Sequence, residues 1–97
     1  MLKKQAIKSK PVCKVTFTLP DAIEAKTAAV VGEFNNWDPS ATPLKRQKGE
    51  FKVTLELEKG RSYQYRYLVN NGEWYNDVEA DGYVPNPFAS TNSLVTT

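Results

Sequence analysis

The sequence predicts an all-β sandwich, a fold in which two antiparallel sheets pack face to face around one core. Three observations support this fold class. Apolar and polar residues alternate with a period of two in several short segments, turn-forming residues separate these segments, and no segment shows a convincing helical period. With 97 residues, the chain can form one domain with a core, and it is too short for a catalytic barrel of about 250 residues.

The first clear alternation begins at Val12. Its apolar positions are Cys13, Val15, Phe17 and Leu19. This pattern predicts a half-buried strand that ends at Pro20, and it makes Cys13 a small buried hydrophobic residue rather than a reactive thiol. A connection is expected over residues 21–26, and the apolar run within residues 27–32 predicts the next strand.

The later strands are separated by recognisable turns. Further strands are predicted over residues 44–47, 51–58, 63–69, 73–75 and 92–97. Lys48-Gly49 and Lys59-Gly60 form turns, and Asn70-Asn71-Gly72 is a strong hairpin signal. Residues 76–90, which are rich in Asp, Gly, Pro and Asn, are expected to form a long loop.

The alternation also predicts which side chains face the core. Tyr63, Tyr65 and Tyr67 share one face of their strand and should point inward, which places Arg66 on the opposite face. About seven short strands with such turns between them predict an immunoglobulin-like sandwich in a single domain.

One loop stands out from this regular pattern. Residues 32–39 read Gly-Glu-Phe-Asn-Asn-Trp-Asp-Pro, and they follow an apolar strand. Asn tolerates left-handed backbone and Asp-Pro favours a turn, so residues 35–39 should form a tight bend that faces solvent. Trp37 at its tip would present a flat apolar face to a ligand. The alternative is that Trp37 is a core residue beneath a loop.

The charge distribution argues against nucleic-acid binding. The formal net charge is +2, but the first ten residues hold four of the thirteen bases and no acid, so nine bases face eleven acids in the remainder. A nucleic-acid-binding domain carries its basic excess on the folded surface. We therefore expect a flexible basic segment over residues 1–10, which could end in an edge strand, and a folded domain over residues 11–97.

The composition also limits the chemistry of the chain. It contains one cysteine and no histidine, so an intramolecular disulfide, a thiolate metal cluster and a histidine base are all excluded. We expect no cofactor and no metal. No apolar run approaches the length of a membrane span, and no signal peptide is recognisable. A cytoplasmic location is the corresponding expectation.

Four stretches in order resemble a known family. The chain is similar to the early-set glycogen-binding module, which occurs at the N-terminus of isoamylases and branching enzymes and in the β subunit of AMP-activated protein kinase. The matching stretches are Val31-Gly32-Glu33-Phe34-Asn35-Asn36-Trp37, Tyr65-Arg66-Tyr67-Leu68-Val69, Gly72-Glu73-Trp74 and Asn92-Ser93-Leu94-Val95. Together they span nearly everything from Val12 to the C-terminus.

The resemblance implies a set of carbohydrate-binding residues. Trp37 and Trp74 correspond to two tryptophans that stack on glucose rings, and Arg66 corresponds to a basic residue that binds hydroxyls. Phe88 falls near an apolar contact, and Asn92 matches an asparagine that binds hydroxyls. The sequence departs from the kinase-subunit pattern in two ways. Its hairpin before Trp74 is one residue longer, and it has Arg66 where that type has lysine, which changes the hydrogen-bonding geometry.

Each of these residues also has a purely structural alternative. Either Trp74 or its neighbour Tyr75 must face inward, because side chains alternate along a strand. Arg66 could pair with a nearby acid, Asn92 could cap the last strand, and Phe88 could close the end of the sandwich. For these positions the sequence leaves both readings open.

The acids of residues 76–90 suggest two further kinds of site. Asp77, Glu79 and Asp81 lack the full ligand pattern of a calcium loop. A glycosidase would need two carboxylates across a sugar cleft, and a small sandwich offers no deep cleft. We therefore expect these residues to be solvated loop acids.

The sequence thus predicts a non-catalytic module that binds α-glucans such as glycogen, starch or malto-oligosaccharides. The alternative is a module for protein interaction or oligomerisation, accessory to a glucan-active enzyme or a kinase-like complex. Its partners would then be an enzyme or a second copy of the chain. An enzymatic activity of the chain itself is the least supported reading, because no catalytic constellation is visible.

Overall fold

A computed structural model describes residues 2–6, 9–19, 24–77, 79–87 and 90–97 of the chain. The described part is all-β apart from one 3₁₀ turn, Glu33–Asn35. The strands are β1 (Leu2–Ala6), β2 (Val12–Thr18), β3 (Ala28–Gly32), β4 (Lys45–Gln47), β5 (Glu50–Glu58), β6 (Ser62–Val69), β7 (Glu73–Tyr75), β8 (Gly82–Pro85) and β9 (Thr91–Thr96).

The strands form two antiparallel sheets. The first sheet has the order β1-β2-β5-β4, and the second has the order β3-β6-β9-β8. Strand β7 also pairs with β6, through Tyr67↔Tyr75 to Val69↔Glu73, while β9 pairs with the other end of β6. Because β3 occupies the opposite edge of β6, β7 and β9 lie end to end along one edge. This is the expected immunoglobulin-like sandwich.

The core lies between the two sheets and follows the two-residue alternation. In β2, Cys13, Val15 and Phe17 are buried, while Lys14 between Cys13 and Val15 is exposed. In β6, Tyr65 and Tyr67 are fully buried. The ring of Phe17 meets that of Tyr65 edge to face with centroids 5.0 Å apart. Such aromatic pairs add to the free energy gained from burial. The inward tyrosine row predicted from the sequence therefore forms the centre of the core.

Most strands lie where the alternation predicts them, with two additions. Strand β8 lies within residues 76–90, which we expected to be a loop, and it exists through its pairing with β9. Strand β1 lies within the basic segment 1–10 and pairs with β2 over five residues. The flexibility of that segment stays a prediction. Residues 7–8 and 20–23, which include part of the expected connection, lie outside the described residues.

Asp77 is a correction to the expectation of solvated loop acids. Its side chain is fully buried, and its Oδ2 accepts hydrogen bonds from the hydroxyls of Tyr65 (2.9 Å) and Tyr67 (3.0 Å). Its backbone N–H donates to Ser93 Oγ at 2.8 Å, and its carbonyl accepts from the Tyr83 hydroxyl. Asp77 thus anchors the start of the 76–90 segment to the inner face of the second sheet, where Tyr65, Tyr67 and Ser93 lie.

The buried position of this cluster keeps the tyrosines protonated. Burial is the largest cause that raises the pKa of Tyr65 and Tyr67 far above the ordinary tyrosine value, and the nearby Asp77 carboxylate raises both further. Both hydroxyls therefore remain hydrogen-bond donors to Asp77. The burial of Asp77 could not be predicted from the sequence, because an acid in a polar loop has no local feature that marks it as buried.

Asp81 is exposed, as expected, and it also makes specific contacts. It forms an ion pair with Lys4 Nζ at 2.7 Å and accepts a hydrogen bond from Thr96 N at 2.8 Å. Partial burial acts to raise the pKa of Asp81, but the bonds from Lys4 and Thr96 together lower it below the usual value. The contact joins β1 of the first sheet to β9 of the second. Glu79 is exposed as well.

We predict that Asp77→Ala lowers the free energy of unfolding by about 2–4 kcal/mol, because it removes the buried carboxylate that accepts hydrogen bonds from the Tyr65 and Tyr67 hydroxyls. Denaturant unfolding followed by tyrosine and tryptophan fluorescence measures this change. The matched control is Glu79→Ala, which removes an exposed carboxylate two residues away and should change stability by less than about 0.5 kcal/mol. Equal stability of the two variants would contradict the role given to Asp77.

Candidate functional site

The outer face of the second sheet carries the candidate site. The side chains of Gln64, Arg66 and Leu68 alternate with the buried tyrosines and therefore lie on this face. Leu68 packs with Ala29 and Val31 of β3 in a small cluster of buried residues that is separate from the main core. This cluster forms a buried apolar patch on the outer face, where β3 pairs with β6.

The bend that carries Trp37 follows β3 and is built around Asn35. The Asn35 side chain accepts a hydrogen bond from Gly32 N (3.0 Å) and donates to Val30 O (3.0 Å) and Thr42 Oγ1 (3.0 Å). These bonds close the loop onto its own strand. Phe34 turns inward and packs against the core, with its ring centroid 5.4 Å from that of Phe17.

Trp37 itself is held in an unusual backbone conformation. Asn36 and Trp37 both take positive φ, at 56° and 58°, and Trp37 N donates to Gly32 O at 2.9 Å. Such a conformation is uncommon for an aromatic residue and needs support from neighbouring contacts. The side chain of Trp37 is 39% exposed, so it is not a core residue beneath a loop.

Gly32 and Glu33 bring this bend close to β6. A methyl group at Gly32 would lie 2.5 Å from Gln64 O and 2.8 Å from Tyr65 Cβ, so only glycine allows the two strands to approach this closely. Glu33 then extends the pairing of the strands, because its Oε1 accepts a hydrogen bond from Gln64 N at 2.6 Å. Its carboxylate therefore lies beside the strand that carries Arg66.

Trp74 reaches the same face through the β6–β7 hairpin. Asn70 and Asn71 both take positive φ, as in a type I′ turn, and Asn70 Oδ1 accepts from Lys26 N at 2.8 Å. The register pairs Trp74 with Leu68, which places Trp74 on the outer face, where it is 45% exposed. Its neighbour Tyr75 packs against the core.

Arg66 lines the same cleft as the two tryptophans. Its guanidinium carbon is 6.0 Å from the ring centroid of Trp74, within the range of a cation–π contact. Its Nε is buried and has no hydrogen-bond partner among the described residues, nor does Arg66 form an ion pair with any of them. A buried donor without a partner is costly, so this N–H favours a ligand oxygen.

These residues line one open cleft of about 550 Å³. The lining residues are Glu33, Trp37, Gln64, Arg66, Trp74, Asn86, Pro87 and Asn92. The structure thus brings together four of the five residues that the resemblance implied. The fifth, Phe88, lies outside the described residues, although the preceding Pro87 lines the cleft.

Half of the lining was not anticipated from the sequence. Gln64 could have been found, because it lies two residues before Arg66 and therefore on the same face of the strand. Glu33 belongs to the bend motif but was not assigned a role. Asn86 and Pro87 carry no local signal, since only the packing of their loop against β9 brings them to the cleft.

The cleft has the character of a binding site. Its described lining contains one carboxylate, Glu33, and therefore lacks the carboxylate pair that glycoside hydrolysis uses. Within the described residues, no three acidic or cysteine side chains cluster so that they could hold a metal ion. Cys13 is buried, as its place in the strand pattern predicted. In the same part of the chain, no helix is long and apolar enough to cross a membrane.

Comparison with known proteins assigns the chain to a family. Residues 13–95 match the family described as the glycogen recognition site of AMP-activated protein kinase. The chain belongs to this family. The match runs from within β2 to within β9 and includes every described residue that lines the cleft. The family is one of carbohydrate-binding modules, which agrees with the predicted early-set resemblance.

Two relatives with this module are larger enzymes. The chain is 34% identical over 74 residues to the 1,4-alpha-glucan branching enzyme GlgB of Prochlorococcus marinus (strain MIT 9211). It is 29% identical over 76 residues to the enzyme of the same name from Synechococcus sp. (strain CC9311). These matches cover 74% and 76% of this chain but 10% of each enzyme, so the chain spans about a tenth of their length.

We predict that Gly32→Ala lowers the free energy of unfolding by about 1–3 kcal/mol, because its methyl group would collide with the backbone of β6. The matched control is Gly72→Ala, since a methyl group at Gly72 meets nothing within 4 Å and the residue does not require positive φ. The control should change stability by less than about 1 kcal/mol. Thermal unfolding of both variants measures the difference, and equal melting temperatures would contradict the close approach at Gly32.

Proposed function

We propose that this chain is a non-catalytic module that binds α-glucans, such as glycogen, starch or malto-oligosaccharides. The observation that carries the proposal is that Trp37, Trp74 and Arg66 line one open cleft, with both indoles partly exposed. The family description and the branching-enzyme relatives support the same class of ligand.

Stacking is the main source of affinity in this proposal. A pyranose ring has an apolar C–H face that an indole can cover, and its hydroxyls lie around the rim. Covering about 50–100 Å² of apolar surface per ring at about 25 cal/mol/Å² contributes roughly 1–2.5 kcal/mol for each tryptophan. Arg66 and Asn92 are proposed to contribute hydrogen bonds to the hydroxyls, and Phe88 is proposed as a further apolar contact.

The resulting site is expected to be weak for a short oligosaccharide. Association and ordering of a flexible glucan oppose the stacking energy, so we expect a dissociation constant of roughly 10 μM to 1 mM. A branched polymer presents many chain segments at once. Multivalent attachment therefore raises the apparent affinity for glycogen above that for maltoheptaose.

The proposal includes no catalytic step for this chain. A cleft with a single carboxylate in its described lining supports binding, and the enzymatic names of the relatives belong to much longer proteins, of which the matched region covers 10%. We also propose a glucan-active enzyme or a second copy of the chain as the protein partner of this module. A cytoplasmic location, as expected from the sequence, belongs to the same proposal.

We predict that the double variant Trp37→Ala/Trp74→Ala migrates through a glycogen-containing native gel as fast as it does through a gel without glycogen. Wild-type protein should be retarded by glycogen, because the exposed indoles bind glucose rings. Each single substitution should weaken binding of maltoheptaose by about 5- to 70-fold, which corresponds to the stacking energy of one ring.

The control for this experiment is Trp37→Phe/Trp74→Phe, which keeps an aromatic face at both positions and should keep measurable retardation. Melting temperatures of all variants establish that they remain folded. If wild type and the Trp→Ala double variant migrate alike, glucan binding through these residues is refuted. Retention of a stoichiometric protein partner without any retardation by glycogen would instead support the interaction module.

A further inference from the structure

Glu33 carries the one carboxylate in the described lining of the cleft, and its position is fixed by the strand beside it. Its Oε1 accepts a hydrogen bond from Gln64 N at 2.6 Å, directly after β3 ends at Gly32. Gln64 lies two residues before Arg66 on β6, which corresponds to roughly 6.5–7 Å along the strand. The carboxylate is therefore held at a defined place beside Arg66, although Glu33 is exposed.

The bond from Gln64 leaves part of this carboxylate unused. A carboxylate has two oxygens with about four lone-pair sites. Within the described residues, Oε1 accepts from Gln64 N, Oε2 accepts from no group, and Glu33 forms no ion pair. Glu33 can therefore still accept a hydrogen bond from a ligand in the cleft.

Arg66 is the chemical complement of Glu33. A guanidinium only donates hydrogen bonds, and the buried Nε of Arg66 has no partner in the part of the chain that the structure describes. Both residues line the same cleft, yet they form no ion pair with each other. A donor and an acceptor of opposite charge are thus both left for a third group.

A neutral sugar satisfies both residues at once. Each hydroxyl can donate one hydrogen bond and accept two, so one sugar O–H can donate to Glu33 while a sugar oxygen accepts from Arg66. A phosphate ester is different, because at neutral pH it carries a charge of about −1.5 to −2 and offers acceptor oxygens. It suits Arg66, but the Glu33 carboxylate repels it.

We propose that Glu33 contacts the glucan directly as the acceptor of a hydroxyl hydrogen, and that it selects unphosphorylated glucan against glucan that carries phosphate esters. This inference rests on the glucan-binding function proposed above, and it adds Glu33 to the contacts of Trp37, Trp74, Arg66 and Asn92. Without Glu33, Arg66 would be the only charged group in the described lining, and a guanidinium favours phosphate. The carboxylate opposes that preference by like-charge repulsion, which is a common basis of specificity.

Two ligands test this assignment: maltoheptaose, and maltoheptaose with a phosphate monoester on the C6 oxygen of every ring. Because every ring is phosphorylated, the second ligand cannot avoid Glu33 by shifting along the cleft. Tryptophan fluorescence reports occupancy of the cleft, since both tryptophans of the chain line it. At one ionic strength, we expect wild-type protein to bind the phosphorylated ligand at least about 10-fold more weakly than maltoheptaose.

The variant Glu33→Gln separates selection from folding. Its side-chain oxygen can still accept from Gln64 N, but the second acceptor oxygen is replaced by an NH₂ donor and the charge is lost. We expect maltoheptaose binding to weaken by roughly 3- to 10-fold. Binding of the phosphorylated ligand should be unchanged or tighter, so the ratio of the two dissociation constants should fall by about 5-fold or more. Steric effects of the phosphates are common to both proteins and do not alter this comparison.

The matched control is Glu73→Gln, which removes the same charge from an exposed residue of β7 that is not part of the described lining. Both dissociation constants should remain within about 2-fold of the wild-type values, because solvent and salt screen an exposed charge outside the cleft. Melting temperatures of both variants close to that of wild type establish that they are folded.

The outcomes are distinct. A weaker bond to maltoheptaose together with a smaller ratio in Glu33→Gln alone supports the assignment. If Glu33→Gln binds maltoheptaose as wild type does, or if it weakens both ligands equally, Glu33 only closes the end of β3 and the assignment is overturned. If wild-type protein binds neither maltoheptaose nor glycogen, the proposed function fails and this inference fails with it.

Discussion

The structure depends on the strict alternation of side chains along β6. This strand has β3 on one edge and both β7 and β9 on the other, so its register is fixed from both sides. Tyr65 and Tyr67 enter the core, while Gln64 and Arg66 reach the outer face. A shift of one residue would exchange these two sets, exposing the tyrosines and burying a guanidinium, which makes the pairing highly specific.

Conformations that L residues rarely adopt are concentrated around the cleft. Asn36 and Trp37 lie in the bend at one side of the cleft, and Asn70 and Asn71 precede the strand that carries Trp74. All four take positive φ. The hydrogen bonds of Asn35 and Asn70 offset the strain that such residues store. The result is a pair of tryptophans whose backbone positions are set before a ligand binds, which reduces the entropic cost of recognition.

The sequence predicts much of this fold and part of this site. Alternation over residues 12–19, 51–58 and 63–69 is a local property, so it predicts strands and their buried faces correctly. The role of Asp77 is different, because it is defined by the hydroxyls of Tyr65 and Tyr67, which lie on another strand, and nothing in its own segment marks it as buried. Strand β8 was missed for the same reason, since a four-residue strand ending in proline is stabilised by its partner rather than by its own pattern.

In the proposed function, one cleft presents two indoles together to the same glucan. The chain contains only two tryptophans, so each indole N–H gives its own signal in a nitrogen–proton correlation spectrum. On titration with maltoheptaose, we expect both indole signals to shift along the same saturation curve, with one dissociation constant. If either signal remains unchanged when the other has reached saturation, or if neither moves at millimolar ligand, the account of a paired stacking site is contradicted.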